Sequence, residues 1–283
     1  MLKKLLLLLD AIQYKESVFA LPFAYSSMLI ASDGLPTWSN FLWITLAMVG
    51  ARTFGMSMNR IVDHQIDSRN PRTKQRHLPS GQLRIYEMGT MAISALGIFI
   101  ICAWKLGPLC LYLAPVAAVY LTLYSYAKRF TWASSIGLGL ALGIAPMGAW
   151  IGITNSVALT PFLLSASVAF WSASFDIIYH IQDRDYYIQR GLHSMAQTFG
   201  ERISVKVAVL MDIGAISFLF LAGWSDDLSW PYYAGCFLAA LVLVYKHISL
   251  NKIGASNIGP SFLRTNAYVS IAVLIGTLSA MLS

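Results

Sequence analysis

The chain has 283 residues, 57% of them hydrophobic and only 12% charged, with a net charge of +7. A soluble domain is about 45–50% apolar and about 25% charged. This balance excludes an ordinary cytosolic enzyme, a disordered chain and a nucleic-acid-binding module, and it makes the bilayer the main solvent.

The N-terminus carries Lys3 and Lys4, then a leucine run that ends at Asp10 without a small-residue cleavage site. It reads as an interfacial helix rather than a signal peptide. Nine apolar stretches follow, each approaching the roughly 20 residues a helix needs to cross lipid. They cover Ser17–Ala31, Phe41–Met58, Met88–Trp104, Pro108–Tyr124, Trp132–Thr154, Pro161–Tyr179, Ile203–Gly223, Tyr232–Leu250 and Phe262–Leu282. Backbone polar groups cannot stay unpaired in lipid, so these segments are helices. Gly, Pro or Asn marks several turns, at Ser32–Pro36, Gly107–Pro108, Asn155 and Asn257–Pro260. Cys102, Cys110 and Cys236 lie in apolar stretches without metal-ligand spacing and read as reduced core residues.

Basic residues set the orientation. With the N-terminus in the cytoplasm, 18 of the 20 Lys and Arg residues fall on the inner side, including Lys246, Lys252 and Arg264, counted as following the eighth span. Lys105 falls outside and Arg52 lies within a span. The expected protein is therefore an all-α polytopic bundle of nine transmembrane helices in the inner (plasma) membrane. Its N-terminus and long loops are cytoplasmic and its C-terminus is external.

Two inner loops are long and acidic. After the second span, Asn59, Asp63 and Asp67 are spaced i, i+4, i+8 and share one face if that helix continues. Two carboxylates about 6 Å apart repel by roughly 3 kcal/mol at an effective dielectric of 20, which a bound cation relieves. Oxygen-only ligands with open positions suit Mg²⁺, which commonly shares its shell with substrate phosphates. After the sixth span, Asp176, Tyr179 and Asp183 again share a face, whereas Asp185 points elsewhere. Each loop also carries Arg residues, among them Arg72 and Arg184. Carboxylates for Mg²⁺ beside guanidinium groups for phosphate oxygens together form a diphosphate site. Solvated loops with helix-capping carboxylates are the plainer alternative. His64, His77, His180 and His193 show no zinc-like geometry.

These residues carry a resemblance to the UbiA superfamily of intramembrane prenyltransferases. The family's first hallmark is N-D-x-x-D-x-x-x-D. Asn59, Asp63 and Asp67 match it, with Arg60 in place of its first Asp. Arg72, Thr73, Arg76 and Leu78–Gly81 look like the continuation of that loop. The second hallmark, D-x-x-Y-x-x-x-D-x-x-x-D, is matched by Asp176, Tyr179 and Asp183, but Tyr187 stands at its last position. Whether Asp185 substitutes there is open. The family's Y-x-x-x-K is present as Tyr124 and Lys128, and His193, Ser194, Phe199 and Gly200 also fit.

The resemblance implies a single domain over residues 1–283, a central cavity opening laterally to lipid, and transfer of a polyprenyl chain from its diphosphate to an aromatic acid. The two stretches 17–125 and 132–223, each with one Asp-rich loop, read as a pseudo-repeat. Asn59, Asp63, Asp67, Asp176 and Asp183 are expected to hold Mg²⁺-diphosphate. Arg72, Tyr124, Lys128 and Arg184 are expected on phosphate oxygens. Tyr179 reads as a substrate-facing residue that orients an acidic neighbour or lines the cavity, or else as core packing. Arg52, seven residues before Asn59 on the same stripe, is expected to bind the acceptor's carboxylate, with a structural pair as its other reading. Asn59-Arg60 followed by Asn70–Thr73 is most similar to relatives that prenylate 1,4-dihydroxy-6-naphthoate for menaquinone; 4-hydroxybenzoate, for ubiquinone, is the rival acceptor. A secondary transporter with repeats, or a related transferase acting on haem or a chlorophyll-type acceptor, are the other readings. No protein partner is legible.

Overall fold

The computed structural model describes residues 2–14, 21–254 and 258–283. Lys15, residues 17–20 of the first expected span and Asn257 of the last turn lie outside the described residues. The helices are α1 (Leu2–Ala11), α2 (Leu21–Ala31), α3 (Trp38–Val62), α4 (His64–Arg69), α5 (Ile85–Leu106), α6 (Pro108–Leu123), a 3-10 helix (Tyr124–Arg129), α7 (Ser134–Thr154), α8 (Leu159–Ile181), α9 (Arg184–Arg190), α10 (Met195–Phe199), α11 (Glu201–Ser225), α12 (Trp230–Ile253) and α13 (Pro260–Leu282). There is no strand among the described residues.

Eight described helices are long and apolar enough to cross a bilayer. They correspond to the second through ninth expected spans. The first is represented by α2, described for 11 residues from Leu21. The protein is an integral membrane protein of the all-α class. Trp38, Trp104, Trp224 and Trp230 lie at helix ends with exposed rings, as interfacial anchors do.

Local chemistry sets the helix ends. Glu87 accepts from the Arg84 N–H at 3.0 Å to close a capping box at the start of α5. Gly107, at φ +133°, ends α5, and Pro108 opens α6 in the first turn, where its missing N–H costs nothing. Asn155 ends α7 in the left-handed region at φ 51°.

The chain folds as two compact units. The first holds described residues 2–14 and 38–126. Within it α3 packs on α5 and α6, and Phe54, Ala92, Ala95 and Ala118 form their shared core. Helix α1 adds a second cluster, in which Ala11 and Ile12 meet Leu78, Leu83 and Met88. The second unit holds the described residues among 21–37 and 127–283. Its core joins Phe23, Leu164, Val168, Trp171, Leu219 and Tyr232 across α2, α8, α11 and α12. Small residues bring its backbones close: a Cβ on Gly139 of α7 would lie 2.3 Å from the Ala169 carbonyl oxygen of α8.

One sequence expectation is corrected here. Lys246 is not a loop cation. It lies inside α12 with 1% exposure, its ammonium paired with Asp212 of α11 at 2.5 Å. A charge four residues inside the expected helix end reads as one that reaches the loop, but Asp212 of α11 holds it within the fold.

Candidate active site

Both acidic loops are built the same way. A spanning helix runs down to an aspartate, breaks there, and restarts as a short helix. Asp63 follows α3 with φ −88° and ψ 1° and precedes α4. Asp183 follows α8 and Gln182 with φ −96° and ψ 1° and precedes α9. The break is slight, because the Asp63 N–H still reaches the Asn59 carbonyl at 2.9 Å and the Asp67 N–H reaches Asp63 at 2.8 Å. Asn59, Asp63 and Asp67 therefore keep the near-helical succession their spacing predicts. Arg52 lies two turns above Asn59 on α3, half-buried.

In the first unit, Asn59 Nδ2 donates to Asp63 Oδ2 at 3.1 Å and lies 3.3 Å from Ser125 Oγ. Asp63 and Asp67 are 1% and 5% exposed. Arg76 Nη1 donates to Asp67 Oδ2 at 2.7 Å, and the Thr73 hydroxyl donates to the Asp67 carbonyl at 3.2 Å. Arg72 is exposed; its backbone N–H donates to Asn70 Oδ1 at 2.9 Å, shaping the turn. Tyr124 is half-buried at the start of the 3-10 helix.

In the second unit, Asp183 is 3% exposed. Asp176 Oδ2 lies 3.1 Å from His180 Nδ1, and Ser135 Oγ approaches the same nitrogen at 3.2 Å. Tyr179 is half-buried. Lys128 is half-buried, and its carbonyl accepts the His193 N–H at 2.7 Å, which ties the 3-10 helix to the second loop. Tyr187 is buried at 3% with its ring 5.5 Å from that of His180. Asp185 is exposed, with its side chain 3.6 Å from Arg184. The hallmark's last position is therefore filled by a ring inside the fold, and Asp185 points to solvent rather than into its place.

Sequence reasoning passed over Arg76, Ser125, Ser135 and His180 as site residues. His180 carries a helical signal, four residues after Asp176 and so on its face. Arg76 lies in the loop that resembles the family's, without a sign of its partner there, and Ser125 and Ser135 carry no signal, because tertiary folding alone brings them to their partners. Arg60 does not join the carboxylates: its Nε donates to the Ala11 carbonyl at 2.9 Å and its Nη2 to Gln13 at 3.0 Å.

Among the described residues, no group of three or more His, Cys, Asp or Glu side chains is placed to hold a metal by itself. The available donors are oxygens in small sets, which suits a hard cation that completes its shell with substrate or water.

Comparison with known proteins bears on this geometry. The chain is 28% identical over 250 residues to a 4-hydroxybenzoate octaprenyltransferase of Francisella tularensis subsp. novicida, covering 88% of this chain and 87% of the relative. A Vibrio campbellii protein of the same name is 28% identical over 255 residues, covering 90% and 89%. Among solved structures, a UbiA homolog from Aeropyrum pernix K1 superposes with a TM-score of 0.86 at 26% identity, over 94% of this chain and 98% of that one. A UbiA homolog from Archaeoglobus fulgidus bound to DMAPP and Mg²⁺ shares the fold, with a TM-score of 0.72 at 15% identity over 97% and 98%. A profile of the UbiA prenyltransferase family matches residues 20–271. By that match, which spans most of its length, the chain belongs to the UbiA prenyltransferase family.

Proposed function

We propose that this protein transfers a polyprenyl chain from its diphosphate to an aromatic acid in quinone biosynthesis, with Mg²⁺ as cofactor. The observation that carries this reading is the burial of three hallmark carboxylates, Asp63, Asp67 and Asp183. Buried carboxylates are costly unless paired or bound to a cation. The Archaeoglobus relative solved with DMAPP and Mg²⁺ supports the same chemistry.

Asn59, Asp63, Asp67, Asp176 and Asp183 would hold Mg²⁺-diphosphate. When bound, Mg²⁺ neutralises the charge that grows on the diphosphate as the allylic C–O bond breaks. Asn59 orients Asp63, Arg76 orients Asp67, and His180 with Ser135 orients Asp176. Arg72, Tyr124, Lys128 and Arg184 would bind phosphate oxygens. Tyr179 would face the substrate. The diphosphate leaves with the electron pair of the C–O bond, the electron-rich ring attacks the allylic carbon and a base takes the ring proton, so water must be kept away until the new bond forms. Arg52 would hold the acceptor's carboxylate.

The active loops and N-terminus would face the cytoplasm, as the basic residues direct. The chain would be one transmembrane domain with a pseudo-repeat over 17–125 and 132–223. The matching backbone at Asp63 and Asp183 supports the repeat. The relatives' names favour 4-hydroxybenzoate as acceptor. The Asn59-Arg60 form of the first hallmark favours a 1,4-dihydroxy-6-naphthoate-type acceptor as the second reading.

The test is an assay with Mg²⁺, one long prenyl diphosphate and both acids in competition, read by mass spectrometry. Prenylated acid is expected from the wild type, and none from Asp63→Ala or Asp183→Ala proteins that still insert. Normal turnover in both variants would overturn the assignment.

A further inference from the structure

Helices α11 and α12 of the second unit carry charges that prenyl transfer does not use. Asp212 is buried within α11 at 3% exposure. Its Oδ2 accepts from Lys246 Nζ at 2.5 Å and from His247 Nε2 at 2.6 Å. Lys246 Nζ also donates to Ser174 Oγ of α8 at 3.2 Å. Neither Asp212 Oδ1 nor His247 Nδ1 has a partner among the described residues. An intramembrane group of this kind is a functional candidate by default.

Beside it runs a groove of about 390 Å³, lined by Val205, Lys206, Val209, Leu210, His247 and Asn251. The groove lies near one end of the antiparallel pair, since α11 starts at Glu201 and α12 ends at Ile253. At about 1.5 Å per residue, Lys206 and Asn251 sit within roughly 8 Å of those termini, the depth of lipid headgroups. Arg202 and Lys252 make the same end basic. Asp212 offsets the charge of Lys246, so the unbalanced charge is that of Lys206, and no acidic residue lines the groove. Excess positive charge at the edge of lipid is stabilised by an anion that can reach that depth.

We propose that this groove binds the phosphate of an anionic phospholipid. Lys206 and Asn251 reach the phosphate oxygens over the His247 ring, and an acyl chain follows Val209 and Leu210. A zwitterionic phospholipid brings its own cation and leaves the imbalance in place, so the groove selects for net negative headgroups. The floor of this end is the cluster of Ile177, Ile178, Ile181, Met195, Ala196, Ala208 and Leu250, so a bound lipid would brace α11 and α12 beneath the second acidic loop.

The test is native mass spectrometry of the purified full chain with equal phosphatidylglycerol and phosphatidylcholine. The wild type is expected to retain phosphatidylglycerol about five- to tenfold over phosphatidylcholine. Lys206→Gln combined with Asn251→Leu should bring the ratio near one, while Lys105→Gln on α5 should leave it unchanged. Lys206 and Asn251 are exposed, and an unchanged melting temperature in detergent checks that the fold survives their replacement. A soluble prenyl diphosphate with Mg²⁺ should not displace the lipid. Equal retention of both lipids by the wild type, an undiminished ratio in the double variant, or displacement by prenyl diphosphate would each overturn the proposal.

Discussion

Arg60 Nε donates to the Ala11 carbonyl oxygen at 2.9 Å, fastening the last turn of α1 to the C-terminal end of α3. The guanidinium is 6% exposed and also reaches Gln13. A cation at a helix C-terminus meets unpaired carbonyls and the negative end of the helix dipole. Where the family hallmark places an aspartate, this chain has a clamp on its N-terminal helix. Arg60→Ala should destabilise the first unit by about 1–3 kcal/mol, since it strands the buried Ala11 carbonyl, the acceptor of a charged donor. Arg60→Asp should cost more, because a carboxylate would face a carbonyl oxygen. Hydrogen exchange should rise in Leu2–Ala11 before other segments, and exchange mass spectrometry checks it.

Arg52 offers a kinetic test of acceptor binding. Arg52→Ala should raise the KM for the aromatic acid about tenfold or more, the scale of a lost charged hydrogen bond, with little change in that for the prenyl diphosphate. Steady-state kinetics with each substrate varied in turn reads the split. The reverse pattern would place Arg52 on the diphosphate.

The buried Lys246–Asp212 pair makes a stability prediction. Asp212→Asn leaves the Lys246 ammonium enclosed without its counter-charge and should cost about 3–5 kcal/mol. Combining Asp212→Leu with Lys246→Met removes both charges and should recover most of that loss. Denaturation in detergent measures both. If the single and double variants were equally unstable, the pair would not be the source of the effect.

Close approach of α7 and α8 is tested at a glycine. Gly139→Val should destabilise by about 1–3 kcal/mol or more, because the blocking atom is the Ala169 backbone oxygen and cannot swing aside. Gly148→Ala on the same helix meets nothing within 4 Å and should be neutral. Melting temperatures of the two variants make the comparison.

Asp226, in the loop between α11 and α12, predicts a pH effect. Burial raises its carboxyl above the ordinary 3.8, and Asp33 and Asp227 add to the rise against an opposing hydrogen bond from Thr160. A raised folded-state value favours the protonated folded form. Its stabilising contribution is thus full below 3.8 and is lost as pH rises through the higher folded value. Asp226→Asn should flatten that part of the stability-versus-pH curve, measured by thermal melting across the acid range.

The succession of spans was legible because apolar length alone decides what can cross a bilayer. Its end points were not. Lys246, four residues from the expected end of its span, reads as a cation that reaches the loop, and the burial of its charge depends on Asp212, 34 residues away in sequence. Asn59, Asp63 and Asp67 were legible as one set because helical periodicity is a local property. The same periodicity would have paired Asp176 with His180.

What the sequence determined by itself is the membrane class and the helical hallmarks with their carboxylates, because each is fixed by composition or by spacing along one helix. Tertiary structure decided which side chain answers which. Arg76 reaches Asp67 through a loop, Ser125 meets Asn59 across the first unit, and Arg60 turns away to hold α1. Tyr187 folds inward while Asp185 stays in solvent. Such pairings follow from the path of the chain through space, and spacing along a single helix carries no record of that path.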